Sequence, residues 1–193
     1  MPDPRIPDPR IPDRHIPDRR ISDRRISDRC IVPIEPDDVP AVVDLVYDLA
    51  EYERLRDHCL LTVDQLRDAL FGPTPALFGL VSRVDGVVVG YALYFLNFST
   101  WEGVHGIYLE DLYVRPDMRG SGIGKAMLIA LAELAVERGY AREEWSVLDW
   151  NRPSIDFYEA LGAVPMDGWT TFRLTGRALR AVAQPAADPE SPG

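Results

Sequence analysis

The sequence is poor in cysteine, in positive charge and in long apolar runs, and each shortage excludes a class of protein. Its two cysteines, Cys30 and Cys59, are too few for a disulfide framework and are not spaced like metal ligands, so we predict no metal site. Lysine and arginine number 21 against 31 aspartate and glutamate, and the net charge of -10 argues against a nucleic-acid partner. No apolar run reaches the roughly 18 residues of a membrane span, and the first residues contain no apolar signal-peptide core. We therefore expect a cytoplasmic protein that binds neither nucleic acid nor membrane.

The composition changes near both ends of the chain. After Met1 the sequence runs through PDPRI, PDPRI, PDRHI, PDRRI, SDRRI and SDRCI, which are rich in proline, aspartate and arginine and lack the apolar surface of a core. The last residues, QPAADPESPG, are also polar and proline-rich. We predict a low-complexity, disordered extension over residues 1–29, one folded domain over residues 30–183 and a disordered tail over residues 184–193. Whether the repeat is an interaction arm or a dispensable extension is left open.

Strand and helix patterns alternate between the two tails. Apolar residues recur at helical spacing in DDVPAVVDLVYDLAEYE, where Asp37 or Asp38 is the expected N-cap. Thr62 and Gly72 are the expected ends of a helix in TVDQLRDALFG, and Asp85-Gly86 predicts a hairpin. Further helices are predicted over residues 122–138 and in PSIDFYEAL, and strands in CIVPIE, ALFGLVSRV, VVVGYALYFLNF, GIYLEDLYV, EEWSVLDW and WTTFRL. The pattern predicts an α/β domain, a mixed sheet flanked by helices.

The stretch RPDMRGSGIG, over residues 115–124, places three glycines in five positions before a predicted helix. Closely spaced glycines let backbone N–H groups approach an anion, and the helix dipole favours negative charge at this end. A P-loop would need glycine and a hydroxyl where Arg119 and Ala126 stand, and a Rossmann loop would need glycine where Lys125 stands. The stretch therefore predicts a phosphate-binding loop of another kind, with a plain glycine-rich turn as the alternative.

These motifs resemble those of the GNAT superfamily of N-acetyltransferases, whose members bind the pyrophosphate of acetyl-coenzyme A (acetyl-CoA) on an R/Q-x-x-G-x-G/A loop. Arg119, Gly122 and Gly124 fit that loop. YLEDLYVRPDMRGSGIG, WNRPSIDFYEALGA and GWTTFRL further resemble the diamine (spermidine/spermine) N-acetyltransferase branch, and the resemblance extends from Ile31 to about Ala183. It implies the GNAT fold, a central mixed and mostly antiparallel sheet flanked by helices. It also implies acetyl-CoA as co-substrate, a small amine substrate and a homodimer.

The resemblance places the acetyl-CoA site at the end of the strand GIYLEDLYV, on the glycine loop and on a later helix. Its predicted members are Leu112, Tyr113, Val114, Arg119, Gly120, Ser121, Gly122, Ile123, Gly124, Lys125, Asn151, Ser154 and Tyr158. Asn151 and Ser154 would serve equally well near a helix start, where serine is a good capping residue. Both interpretations of this pair stay open.

Acetyl transfer to an amine needs a base and an acid, because the ammonium must lose a proton and the departing thiolate is helped by gaining one. In GIYLEDLYV the strand alternation puts Glu110 on one face, and Asp111 on the other with Leu109 and Tyr113. A carboxylate in so apolar a strand is costly unless it is paired or functional, and the structural alternative for Glu110 is a sheet-edge hydrogen bond. By resemblance, Glu110 matches the family's general base, acting through water. Asp111 matches its acidic neighbour in the amine site.

Tyr158 lies one helical turn after Ser154, so the two side chains share a helix face. A phenol can donate a proton to a thiolate, and by resemblance Tyr158 matches the superfamily's general acid. The alternative is a half-buried tyrosine whose hydroxyl bonds a backbone carbonyl.

Three further residues are candidate contacts to the amine substrate. Trp101 and Trp169 could pack on its methylenes or offer cation–π contacts, and Glu53 could meet a second ammonium. Each has a plain alternative, a surface or core aromatic for the tryptophans and a solvated helix end for Glu53. Where the diamine enzymes carry an acidic residue two positions before the first tryptophan, this chain has Ser99, so a shorter polyamine, thialysine or another small primary amine can replace spermidine.

The sequence therefore predicts an acetyl-CoA-dependent N-acetyltransferase that acts on a primary amine of a small cationic molecule. Acetylation of an amino acid, a drug or a protein N-terminus is the alternative among enzymes. A catalytically silent acyl-CoA sensor is the alternative from another class, and the retention of both Glu110 and Tyr158 argues against it.

Overall fold

A computed structural model describes residues 30–183; the predicted extension and tail lie outside the described residues. The chain divides into two compact units, Met1–Ser146 and Val147–Gly193. In the described part of both units, no helix is long and apolar enough to cross a membrane.

The first unit contains a five-stranded sheet in the order β1-β2-β3-β4-β5. Neighbouring strands are antiparallel except for β4 and β5, which are parallel. The strands are β1 (Cys30–Pro33), β2 (Phe78–Val84), β3 (Val87–Ser99), β4 (Val104–Val114) and β5 (Glu143–Trp145). Asp85 and Gly86 join β2 to β3 with φ of 50° and 80°, as a two-residue hairpin with both central residues left-handed requires. The predicted mixed sheet and its hairpin are confirmed.

The helices are α1 (Val39–Tyr52), α2 (Val63–Phe71) and α3 (Ile123–Arg138) in the first unit, and α4 (Arg152–Glu159) and α5 (Gly176–Ala183) in the second. The predicted ends of α2 are confirmed, since Thr62 accepts a hydrogen bond from the Gln65 backbone N–H and Gly72 is the C-cap. Asp38 is the N-cap of α1, as predicted, but its side chain makes no capping hydrogen bond to the first turn of the helix. The Asp38 carboxylate accepts from the Glu35 backbone N–H at 2.8 Å and pairs with Arg83 at 2.6 Å, so it joins α1 to β2 instead.

Helices cover both faces of the sheet. On one face, α1 and α2 bury an apolar cluster together with side chains of β2, β3 and β4, among them Val81, Tyr91, Leu93 and Tyr113. On the other face, a Cβ added to Gly90 would lie 3.5 Å from Met127 of α3, and Gly90 alternates with Tyr91 along β3. The α/β architecture predicted from the sequence pattern is confirmed.

Near the end of the chain, one predicted strand is absent and another is shorter than predicted. The predicted strand WTTFRL, over residues 169–174, has no regular secondary structure, and α5 follows it without having been predicted. Residues 147–183 contain no strand with which this segment could form a ladder, and Trp169 and Phe172 are 74% and 91% exposed. The strand predicted in EEWSVLDW is only three residues long, Glu143–Trp145.

Candidate active site

Glu110 lies in a β-bulge of β4. Leu109 pairs with Tyr94 of β3 and Asp111 pairs with the next residue, Leu93, so Glu110 has no partner in this register. A bulge of this kind inserts one residue into one strand and re-aims the neighbouring side chains. The Glu110 side chain is exposed, so the predicted cost of burying it does not apply. The bulge presents its carboxylate to solvent or to a ligand.

The bulge also changes which side chains share a face with Asp111. Asp111 pairs with Leu93, and both lie on the face that α1 and α2 cover, as do Tyr91 and Tyr113. Leu109 pairs with Tyr94, which alternates with Leu93 and therefore lies on the other face. The prediction that Asp111 shares a face with Tyr113 is confirmed, and the prediction that it shares one with Leu109 is wrong.

The charges of two other carboxylates act on Asp111 beside the bulge, and we call Glu53, Glu110 and Asp111 the acidic cluster. Burial raises the pKa of Asp111 to about 6, and the negative charges of Glu110 and Glu53 act in the same direction. Burial also raises the pKa of Glu53, which directly follows α1. A site with this much negative charge favours a cationic ligand, because a cation relieves the repulsion that the cluster contains.

Tyr91 lies against the acidic cluster, although the sequence reasoning missed it. Burial raises its pKa well above the usual range, with the charges of Asp111, Glu53 and Cys59 adding to the effect. Its hydroxyl is close enough to lower the pKa of Asp111, yet it completes no hydrogen bond within residues 30–183. The one signal in the sequence is a phenol in the apolar strand VVVGYALYFLNF.

The predicted residues Leu112, Tyr113 and Val114 lie on an open edge of β4. The pairing of β4 with β5 covers residues 107–109 and stops before the bulge. Over residues 111–114, β4 therefore pairs with β3 alone in the described part of the first unit. Backbone N–H and C=O groups on such an edge can bond an extended ligand that carries amides, as a strand would.

The glycine loop leads from β4 into α3 with room in front of it. Gly120 and Gly122 have φ of 72° and 89°, and a Cβ built on either would meet nothing within 4 Å. Gly122 is the N-cap of α3 and has no side chain with which to cap the helix. Backbone N–H groups in the first turn of a helix have no partner within the helix, and they are suited to bind an anion. This arrangement fits the diphosphate of acetyl-CoA.

Contacts with residues of the first unit hold the Arg119 side chain beside the loop. Its guanidinium lies over the rings of Tyr52 and Tyr113, 4.9 and 5.4 Å from their centroids, and Nε donates to the Val114 carbonyl at 3.0 Å. Ser121 donates to the Met118 carbonyl. These contacts fix the loop backbone, and the predicted contact of either side chain with a diphosphate stays a prediction.

The second unit carries the remaining predicted cofactor residues and the predicted acid. Asn151 is the N-cap of α4, and its side chain accepts from the Ser154 backbone N–H at 3.4 Å. Of this pair, therefore, Asn151 is the capping residue and Ser154 lies within the helix. Tyr158 lies one turn after Ser154, as predicted, with its ring 5.3 Å from that of Phe157.

The structure does not bring Trp101 to the acidic cluster within one chain. Trp101 lies in the turn between β3 and β4 and is 91% exposed. From Val104 to Glu110, β4 rises by roughly 20 Å. Ser99 is buried in the same turn, where its hydroxyl accepts from the Glu102 backbone N–H at 3.2 Å, so it has a structural role there.

The site combines a glycine loop that fits a diphosphate, an open strand edge and a bulge carboxylate. Together these features define an acyl-CoA-dependent transferase. The profile of the Acetyltransferase (GNAT) family matches residues 43–163 of this chain. Thialysine N-epsilon-acetyltransferase of Bos taurus is 40% identical over 157 residues, which cover 76% of this chain and 92% of that protein. Spermidine/spermine N(1)-acetyltransferase-like protein 1 of Homo sapiens is 33% identical over 156 residues, 75% of this chain but 22% of that protein.

A solved structure has the same fold. It is an integron cassette protein from the mobile metagenome of V. cholerae, with a TM-score of 0.70 at 22% identity over 82% of this chain and 99% of that one. The chain belongs to the GNAT acetyltransferase family, and it is an acetyl-CoA-dependent N-acetyltransferase. The predicted family, fold and reaction are confirmed.

Proposed function

We propose that the protein acetylates a primary amine of a small cationic molecule, either a diamine or polyamine or a thialysine-like amino acid. The acidic cluster carries this proposal, since the charges that shift the pKa of Asp111 are both negative. A dication gains most from such a site, because each ammonium can face a carboxylate. The names of the bovine and human relatives support the same substrate class.

In the proposed mechanism, Asp111 and Glu53 bind the ammonium, and Glu110 removes its proton through a water molecule. The base is needed because an alkylammonium has a pKa near 10 and carries no lone pair at neutral pH. The free amine then attacks the thioester carbonyl, and Tyr158 gives its proton to the thiolate as the C–S bond breaks. The exposure of Glu110 at the bulge is compatible with its role, since a base that acts through water needs access to it.

Acetyl-CoA supplies the acetyl group as a thioester. We propose that the backbone N–H groups of Gly120, Gly122 and Gly124 hold its diphosphate and that the open edge of β4 holds its amide-containing arm. Asn151 and Ser154 are proposed as further contacts. Trp101 and Trp169 stay proposed contacts to the amine, and the position of Trp101 makes it the weaker candidate.

Three further proposals concern the whole protein. We propose that it acts as a homodimer and that it is cytoplasmic. We also propose that the catalytic domain covers residues 30–183, with residues 1–29 and 184–193 outside it. The profile match over residues 43–163 supports the position of this domain.

A screen of amines, with thiol release from acetyl-CoA as the readout, tests the proposed function. The panel contains 1,4-diaminobutane, spermidine, lysine, thialysine, a neutral-tailed monoamine, an aminoglycoside and a short peptide with a free N-terminus. We expect the highest kcat/KM among the first four, and at least a 10-fold loss in Asp111→Asn. A preference for the peptide or for the monoamine would contradict the proposed substrate class.

A further inference from the structure

Tyr91 and Asp111 are neighbours on one face of the sheet. Tyr91 pairs with Tyr113 across β3 and β4, and Asp111 pairs with Leu93, two residues further along β3. Diagonal neighbours of this kind lie within reach of an aromatic side chain. Tyr91 is 0% exposed, so its ring fills the core below Asp111 while its hydroxyl lies beside the carboxylate.

The Tyr91 hydroxyl is an unsatisfied polar group in this core. Within the described residues it completes no hydrogen bond. Phenylalanine would fill the same space without the penalty for a buried hydroxyl that lacks a partner. The hydroxyl is therefore suited to a hydrogen bond with the nearby Asp111 carboxylate, whose pKa it lowers.

The groups that face this hydroxyl determine what can complete the site. Asp111, Glu53, Cys59 and Tyr113 all act on Tyr91 in the same direction, because each is negative when ionised. Glu110 adds its charge to the same cluster through Asp111. A cation with several N–H donors can bond more than one of these carboxylates, as an alkylammonium does with its three donors.

We propose that Tyr91 is a positioning residue of the amine site, whose hydroxyl donates to the Asp111 carboxylate. The hydroxyl stabilises the ionised carboxylate and fixes its direction toward the ammonium of the substrate. This inference rests on the proposed function and adds a residue that acts on the amine through Asp111.

The variant Tyr91→Phe tests the proposal, with Tyr94→Phe as the matched control. Tyr94 lies on the same strand and is also buried, at 3% exposed, but its ring stacks on Phe78 on the opposite face. Both changes remove one hydroxyl and keep the ring. Near-ultraviolet circular dichroism and melting temperature show whether each variant is folded.

The first readout is the carboxyl titration of Asp111, followed by NMR in protein labelled with ¹³C at aspartate and assigned with Asp111→Asn. A hydroxyl that donates to the carboxylate stabilises its ionised form, so its loss must raise the pKa of Asp111. We expect the titration midpoint to move to higher pH in Tyr91→Phe and to stay in place in Tyr94→Phe. An unchanged midpoint in Tyr91→Phe would overturn the proposal.

The second readout is the kinetics with the best amine of the screen. We expect the KM for the amine to rise about 10-fold in Tyr91→Phe, with a change of kcat below about 3-fold and an acidic limb of kcat/KM that moves to higher pH. Equal losses in Tyr94→Phe would reduce Tyr91 to a packing residue and overturn the proposal. If wild-type protein acetylates no amine of the panel, the proposed function fails, and the titration still decides whether Tyr91 holds Asp111.

Discussion

The two parts of β4 on either side of its bulge differ in how their backbones are paired. Residues 107–109 pair with β3 on one side and with β5 on the other. In residues 110–114, Glu110 is unpaired in the bulge and residues 111–114 pair with β3 alone in the described structure. We call these the closed part and the open part of β4. The open part carries the bulge carboxylate and leads into the glycine loop. The proposed functional groups therefore lie just after the point where β4 stops pairing with β5.

Two partly buried acids extend this comparison. Burial raises the pKa of Glu143, which pairs with Ile107 of the closed part, to about 7. Burial raises the pKa of Asp111 in the open part as well, but there the neighbouring charges of Glu110 and Glu53 contribute too. A raised pKa alone therefore does not identify a binding carboxylate. The concentration of like charge around Asp111 separates it from Glu143.

The largest effects on turnover are expected from variants of the proposed base and the proposed acid, and the base variant is Glu110→Gln. We expect kcat to fall on the order of 10²-fold at neutral pH and to recover in part as pH rises, because free amine then becomes abundant and needs no base. The matched control is Glu102→Gln, an exposed acid in the turn before the closed part, which should leave kcat unchanged. If the acidic limb of the pH–rate profile is the same as in wild type, Glu110 is not the base and has a structural role.

Tyr158→Phe removes the proposed acid, and the loss of turnover that it causes should persist at high pH. We expect a fall in kcat on the order of 10²-fold or more, because protonation of the thiolate only becomes harder as pH rises. Calorimetry should show a much smaller change in acetyl-CoA affinity. Near-full turnover in a folded Tyr158→Phe protein would contradict the proposed acid.

The glycine loop gives the next largest effect. Gly122→Val should weaken acetyl-CoA binding about 10-fold or more, because valine is strained at φ of 89° and its side chain fills the space in front of the loop. Gly86→Val is the control for strain alone, since Gly86 has φ of 80° in the hairpin between β2 and β3. Calorimetric titration with acetyl-CoA separates the two. Equal affinity losses in both variants would mean that strain, and not the site, is responsible.

Variants of the two partly buried acids, Asp111 and Glu143, should both change stability, but only the Asp111 variant should lower activity. The pKa of Asp111 is raised from 3.8 to about 6, so the unfolded chain ionises first and stability falls as pH rises through this window. Asp111→Asn removes this penalty, and we expect it to stabilise the protein by up to about 3 kcal/mol at pH 7 and by nothing below about pH 4. Denaturant unfolding as a function of pH measures the difference.

Glu143→Gln is the counterpart in the closed part of the sheet. The pKa of Glu143 is raised from 4.5 to about 7, so this variant should also gain stability, over that window. It should keep wild-type kcat/KM, whereas Asp111→Asn loses amine binding. A comparable loss of activity in Glu143→Gln would break the distinction between the two parts.

Local chemistry explains why much of the fold was predictable from the sequence. The caps of α2 at Thr62 and Gly72, the hairpin at Asp85-Gly86 and the glycine loop each depend on residues within a few positions of one another. The bulge at Glu110 depends on the register between two strands, which no single-strand pattern contains. The role of Tyr91 depends on the same register, because the bulge is what turns Asp111 toward it.

The smallest effect is expected from Trp101→Ala, in the turn that precedes β4. Trp101 is almost fully exposed at the hairpin tip, and roughly 20 Å of strand separates Val104 from Glu110. If the amine site is confined to the open part of a single chain, kcat/KM for the best amine should change by less than about 2-fold. A loss of 10-fold or more, with melting temperature unchanged, would mean that the hairpin tip contacts an amine site. That site would belong either to the same chain or to a second copy in the proposed homodimer. Kinetics at enzyme concentrations above and below the dimer midpoint, located by sedimentation, would then distinguish a contact within the chain from a contact between copies.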